Sequence, residues 1–211
     1  EFFLLLVDKT FGVERERIEQ ESLSQFPIVP LTRLSEKQFS KMQKISERME
    51  GGLEPILLDE LNTFVFDLYG LDVVMRTAIK DTLDTRGPTP ASVKRATMPP
   101  TKQERACFCT ALKDSLDDVL QASNVTATIV EGSAGQIPWK VLSISTKISP
   151  APPVPMDEIL KEADESGASL VVVPTGQSHV FVGLPDLYRF WTKTQAVLLA
   201  HDLLGGALAN G

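Results

Sequence analysis

Leu170-Val-Val-Val-Pro-Thr-Gly-Gln-Ser-His-Val-Phe-Val182 is the stretch on which the fold turns. Two short β-branched and aromatic runs, 170–173 and 179–182, flank the turn residues Thr175-Gly-Gln-Ser178, which predicts an antiparallel hairpin. A second hairpin is expected upstream. There Val125, Ala127 and Ile129 alternate, Gly132-Ser-Ala-Gly135 supplies a turn, and Ile137 to Ile148 alternates again, with Leu142, Ile144 and Ile148 facing one way and Ser143, Ser145 and Lys147 the other.

Each hairpin is preceded by a helical pattern. Lys102 to Gln121 places Cys109, Leu112, Leu116, Val119 and Leu120 on one side, and Met156, Ile159, Leu160 and Ala163 form a shorter face that Gly167 ends. A final helix from about Thr194 is expected to bury Val197, Leu198, Leu203 and Leu204. The order α-β-β-α-β-β-α over 102–211 implies an α+β domain whose antiparallel sheet carries its helices on one face.

Residues 1–86 read as a helical segment. Ser35-Glu-Lys-Gln38 has the form of a capping box, followed by Phe39, Met42, Ile45 and Met49 at helical spacing and by Gly51-Gly52 as a stop. Leu57, Leu61, Phe64, Val65 and Leu68 make a second stripe that Gly70 closes. Asp72 is placed to cap a third helix bearing Met75, Ala78, Ile79 and Leu83. Between the two parts, 87–101 contains Pro88, Pro90, Pro99 and Pro100 and reads as a proline-rich basic linker. Ser149-Pro-Ala-Pro-Pro-Val-Pro155 suggests polyproline II.

Composition bounds the function classes. The chain has 211 residues, 43% hydrophobic and 23% charged, with a formal net charge of −7. Its longest apolar run, Phe2 to Val7, is far short of the roughly 20 residues that span a bilayer, so no membrane partner is expected. Cys107 and Cys109 are too close for an ordinary disulfide, which points to a reducing cytoplasm. A chain opening on Glu1 without a signal-like stretch reads as an excerpt of a longer protein. The acidity argues against coating nucleic acid by bulk charge and leaves a local basic face possible.

The search for a catalytic motif is negative. Gly-x-Ser-x-Gly is absent, and no phosphate-binding glycine loop precedes a helix. One Cys-x-Cys and two isolated histidines do not make a zinc site. Cys107 could serve as a nucleophile with His179 or His201, but both cysteines fall in a helix and Cys109 on its apolar stripe, where a thiol is usually inert. No catalytic or metal-ligating residue is therefore assigned.

Local charge says more. Between Arg86 and Arg105 lie Lys94, Arg95 and Lys102, and the one acid is Glu104. Such a run is either a solvated connector or a flexible basic linker laid along a phosphate backbone. Arg15 and Arg17 alternate with glutamates in Gly12-Val-Glu-Arg-Glu-Arg-Ile-Glu19, as on a salt-bridged surface. In Leu184-Pro-Asp-Leu-Tyr-Arg-Phe-Trp-Thr192 the aromatics and Arg189 could stack on bases and reach phosphate, with Thr192 or Thr194 capping a helix; packing of Phe190 and Trp191 against the sheet is the favoured role.

Several strings together resemble a family. Phe2-Phe-Leu-Leu-Leu, Phe11-Gly-Val-Glu-Arg-Glu-Arg-Ile-Glu19 and Phe26-Pro-Ile28 resemble the segment closing the target-recognition region of N6-adenine DNA methyltransferases of restriction–modification and phage-defence systems. Leu58-Asp-Glu-Leu-Asn-Thr-Phe-Val-Phe-Asp-Leu-Tyr-Gly-Leu71 is similar to their recurrent helix ending in Leu-Tyr-Gly-Leu. Arg189-Phe-Trp-Thr192 is similar to an Arg-Tyr-Trp-Thr element near the C-terminus of some members. The family's Asn/Asp-Pro-Pro-aromatic motif, which holds the flipped adenine, has no counterpart at Met98-Pro-Pro-Thr101 or Ala151-Pro-Pro-Val154.

The resemblance thus implies a non-catalytic C-terminal portion that assists DNA recognition or positioning. Methyl transfer and its S-adenosylmethionine would reside in a catalytic domain upstream of residue 1. Arg15, Arg17, Lys94, Arg95 and Arg189 are the candidate DNA contacts. DNA, the upstream catalytic domain and other defence-system subunits are the expected partners. The competing expectation is a protein–protein interaction module without nucleic-acid binding, resting on the net acidity and on Pro150 to Pro155.

Overall fold

The computed structural model describes residues 27–52, 54–87, 89–123, 125–133, 138–147, 152–175 and 178–206. Arg15 and Arg17, the apolar run Phe2 to Val7, and Ile148 lie outside them. Seven α-helices and one four-stranded antiparallel sheet are present among the described residues, with the helical part first. The chain divides into two compact units, Glu1–Leu83 and Asp84–Gly211.

The first unit contains α1 (Glu36–Met49), α2 (Pro55–Leu68) and most of α3 (Val73–Arg86). Ser35 and Gln38 form the reciprocal capping box that the sequence predicts. Gly70, with φ at +64°, takes the left-handed turn after α2, and the Asp72 carboxylate then accepts the Met75 N–H at 2.8 Å to open α3. Among its described residues the buried apolar cluster is Ile45, Leu57 and Phe64, with Met42, Leu61 and Leu68 partly covered.

The second unit adds α4 (Pro90–Thr97), α5 (Lys102–Leu120), β1 (Thr128–Ser133), β2 (Trp139–Ser145), α6 (Met156–Ser166), β3 (Val171–Thr175), β4 (His179–Pro185) and α7 (Lys193–Gly205). The sheet runs β1-β2-β4-β3, so β2 and β4 are central and both hairpins pair through their second strands. β3 is an edge strand. It therefore tolerates Pro174, which cannot donate to a ladder.

Strand alternation sorts the core into two layers. Leu142, Ile144, Val180, Val182 and Leu184 point to one face and pack with Phe108, Leu112 and Leu116 of α5 and Ala196, Leu199, Ala200 and Leu203 of α7. Val141, Val171, Val173 and Phe181 point to the other and pack under Ile159 of α6. The expectation that all helices share one face is therefore corrected: α6 lies opposite α5 and α7. Its cause is the all-apolar run in β3 and β4, which buries both faces and needs a cover on each. Gly183 makes room for α6, since a Cβ there would stand 2.5 Å from Ile159 Cγ2.

Other expectations shift within their elements. Val119 and Leu198 are more than half exposed, and the buried stripe of α5 is Phe108, Leu112 and Leu116. On α7 the buried positions are Ala196, Leu199, Ala200 and Leu203, where two alanines let α5 and α7 lie against each other. β1 begins at Thr128, after Val125 and Ala127.

The largest difference is at 87–101. The proline-rich stretch contains a helix, α4, and belongs to the second unit. Thr89 caps it by accepting the Ser92 N–H, and Pro90 sits at its first turn, where a missing N–H costs nothing. Ala96 is buried.

Candidate nucleic-acid interface

Arg189-Phe-Trp-Thr192 forms the joint between β4 and α7. Trp191 is buried, its ring 5.1 Å from that of Phe108, and its indole N–H donates to the Pro185 carbonyl at 2.8 Å. Thr192, also buried, caps α7 by accepting the Gln195 N–H at 3.2 Å. Packing is thus the role of the Trp, and Phe190 also lies against the main core. The 3-10 turn Tyr188–Phe190 leaves Arg189 exposed, its guanidinium 4.9 Å from the Phe190 ring centre.

α4 is fastened to this turn. The Tyr188 N–H donates to the Met98 carbonyl at 2.8 Å, and the Arg95 guanidinium lies over the Tyr188 ring, 3.5 Å from its centre. Arg95 also pairs through Nη2 with Oε1 of Glu104. Oε2 of the same carboxylate accepts the Thr101 N–H at 2.7 Å, completing the capping box of α5. Burial alone would raise the Glu104 pKa, but the Thr101 hydrogen bonds and the Arg95 charge outweigh it and hold the carboxyl below its ordinary value.

Beside it, Arg105 donates from Nη2 to Asp186 at 2.7 Å and stands 3.6 Å from Glu131 and 5.9 Å from the Trp191 ring centre. Its Nε is buried without a hydrogen bond, because the Glu131 oxygen is in ion-pair range but beyond hydrogen-bond reach. Arg105 joins α5, β1 and the end of β4.

Of the sequence candidates, Lys94, Arg95 and Arg189 are brought to two elements in contact, α4 and the Tyr188–Phe190 turn. Arg95 is engaged internally; Lys94 and Arg189 are exposed and make no ion pair among the described residues. Sequence reasoning missed Arg105 as a structural hub and Glu104 as the partner of Arg95. The Thr101-Lys-Gln-Glu104 spacing, a capping-box signal, was a handle for the second.

Burial, then the nearby Glu131 charge, pushes the Cys109 thiol up to about 11, away from a reactive thiolate. Cys107 is exposed on α5 and His201 on α7, while His179 is buried at the start of β4 beside the Ser178 hydroxyl. Among the described residues no three His, Cys, Asp or Glu side chains group to hold a metal, and no helix is long and apolar enough to cross a membrane.

A cleft of about 140 Å³ between α5, α7 and the end of β4 is lined mainly by Phe108, Leu184, Phe190 and Leu199. A second, of about 180 Å³, lies where Glu158 and Glu162 of α6 approach β3. Both fall below the roughly 300 Å³ at which small-molecule sites begin. A larger depression at Trp139 and Leu160 is wide open. Comparison with protein-family models, with curated proteins and with solved structures finds no match for the chain.

Proposed function

We propose that the chain is a non-catalytic, DNA-positioning portion of an S-adenosylmethionine-dependent N6-adenine DNA methyltransferase, acting in the cytoplasm beside a catalytic domain that holds the cofactor. The observation that carries the reading is the junction of α4 with the Tyr188–Phe190 turn, where Lys94 and Arg189 stand exposed on elements held together by the Arg95–Tyr188 stack. The Arg189 to Thr192 string, one of those resembling the family, supports it in a specific way. Three of its residues pack or cap, and the fourth is left outside as a cation on a rigid mount. Rigid mounting lowers the entropic cost of meeting a phosphate.

The test is a salt titration of duplex DNA binding by fluorescence anisotropy, comparing the wild-type chain with Lys94→Glu/Arg189→Glu. Each phosphate contact contributes about 0.9 to the slope of log K against log salt, so the double variant is expected to lose about 1.8. An unchanged slope removes these residues, and the junction, from DNA binding.

One observation favours a second reading, a protein-interaction module. On the first unit Ile56, Val73 and Val74 are 75%, 78% and 69% exposed, with Met75 alongside, while among its described residues the buried apolar side chains are Ile45, Leu57 and Phe64. Apolar exposure of this kind is what a partner covers. Light scattering after size exclusion decides: an assembly that Val73→Asp/Val74→Asp dissociates, and that DNA does not affect, supports it.

A further inference from the structure

Arg95 already holds a carboxylate, whereas Lys94 and Arg189 make no ion pair among the described residues. We propose that Glu104 is an internal competitor for DNA phosphate at Arg95, withholding one contact from the site and so keeping its hold on DNA weak. This rests on the DNA-positioning reading and adds to it the regulation of that site.

Three features of the geometry make the arrangement a competition. The guanidinium is mounted on the Tyr188 ring, so its plane stays in place whichever anion it meets. About a third of the side chain is exposed, and the ion pair with Glu104 uses Nη2 alone, leaving other N–H donors of the fork for a second oxyanion. The two oxygens of Glu104 have separate tasks. Oε1 pairs with Arg95 while Oε2 accepts the Thr101 N–H, so the carboxylate can release the arginine and still cap α5.

A phosphate drawn to α4 and the Tyr188–Phe190 turn finds on α4 a cation, Arg95, whose charge is cancelled by a half-buried carboxylate. To use Arg95 it must displace Glu104, which remains nearby and repels it. The contact is present in the fold and withheld by one acidic side chain.

The decisive variant is Glu104→Gln, because glutamine at this position keeps a capping box while removing the charge. Salt titrations on a fluorescein-labelled duplex of mixed sequence compare wild type, Glu104→Gln, Arg95→Gln and the double variant, each checked for folding by circular dichroism. Glu104→Gln is expected to steepen the slope by about 0.9, one added phosphate contact. Arg95→Gln alone leaves the wild-type slope, and the double variant returns to it.

The proposal is overturned if Arg95→Gln by itself flattens the slope, since Arg95 would then already touch DNA. It is equally overturned if Glu104→Gln leaves the slope unchanged, or if the double variant keeps the gain. If Arg95→Gln does not fold, the Glu104→Gln slope alone decides. Failure of the underlying reading looks different: the wild-type chain then shows no salt-dependent association with the duplex at all.

Discussion

Replacing Asp117 with alanine tests how α5 is tied to β1. Asp117 is 7% exposed in the last turns of α5, where its Oδ1 accepts the Ala127 N–H at 2.7 Å and its Oδ2 pairs with Lys113. Ala127 is itself buried, just before the strand, so its N–H has no water to fall back on. A hydrogen bond to a charged group contributes about 1.5–3 kcal/mol. The half-exposed Lys113 pair adds only about 0.3–0.5 kcal/mol. Asp117→Ala should thus cost about 2–3 kcal/mol, a fall in Tm of about 10 °C for a unit of this size. Asp117→Asn keeps an acceptor for Ala127 and should cost less than half as much.

Acid gives an independent check of the same group. Burial would raise the Asp117 pKa, but the Lys113 and Ala127 hydrogen bonds and the Lys113 charge prevail and lower it from 3.8. A carboxylate whose folded pKa is depressed stabilises the fold above its unfolded value and loses that contribution as pH falls through the folded one. The stability gap between wild type and Asp117→Asn, measured by urea unfolding, should therefore be full at neutral pH and shrink below about pH 4. Two results would refute the reasoning: Asp117→Ala within about 0.5 kcal/mol of wild type, the range of ordinary surface substitutions, or equal losses in the alanine and asparagine variants.

Further outcomes follow from the core. Gly183→Ala should destabilise by about 1–3 kcal/mol through overpacking against Ile159, and in the background of Ile159→Ala its cost should drop, which a double-mutant cycle in urea measures. Trp191 is buried and Trp139 partly exposed, so Trp139→Phe should leave a blue-shifted emission and Trp191→Phe a red-shifted one. Trp191→Ala should cost about 3–5 kcal/mol by cavity formation, with loss of the α5 to α7 packing in near-ultraviolet dichroism.

The sequence by itself determined the helices of the first unit and the order of the second, because those signals are local. Ser35 and Gln38, Gly70, Asp72 and Gly167 act within a turn of where they stand, through caps and left-handed geometry that need no distant partner. The two hairpins were legible for the same reason. Which faces are buried was decided only by tertiary structure. Val171 to Val173 and Val180 to Val182 are apolar on both sides, and such a run does not say on which side a helix will lie. The stripes on α5 and α7 moved because Phe108 meets Trp191 and because Ala196 and Ala200, unremarkable as sequence, permit close approach. The basic stretch shows the same division. Lys94, Arg95 and Glu104 could be read as charge on a linker, but an ion pair nine residues apart and a stack on Tyr188, far along the chain, exist only once α4 folds against the β4 to α7 joint.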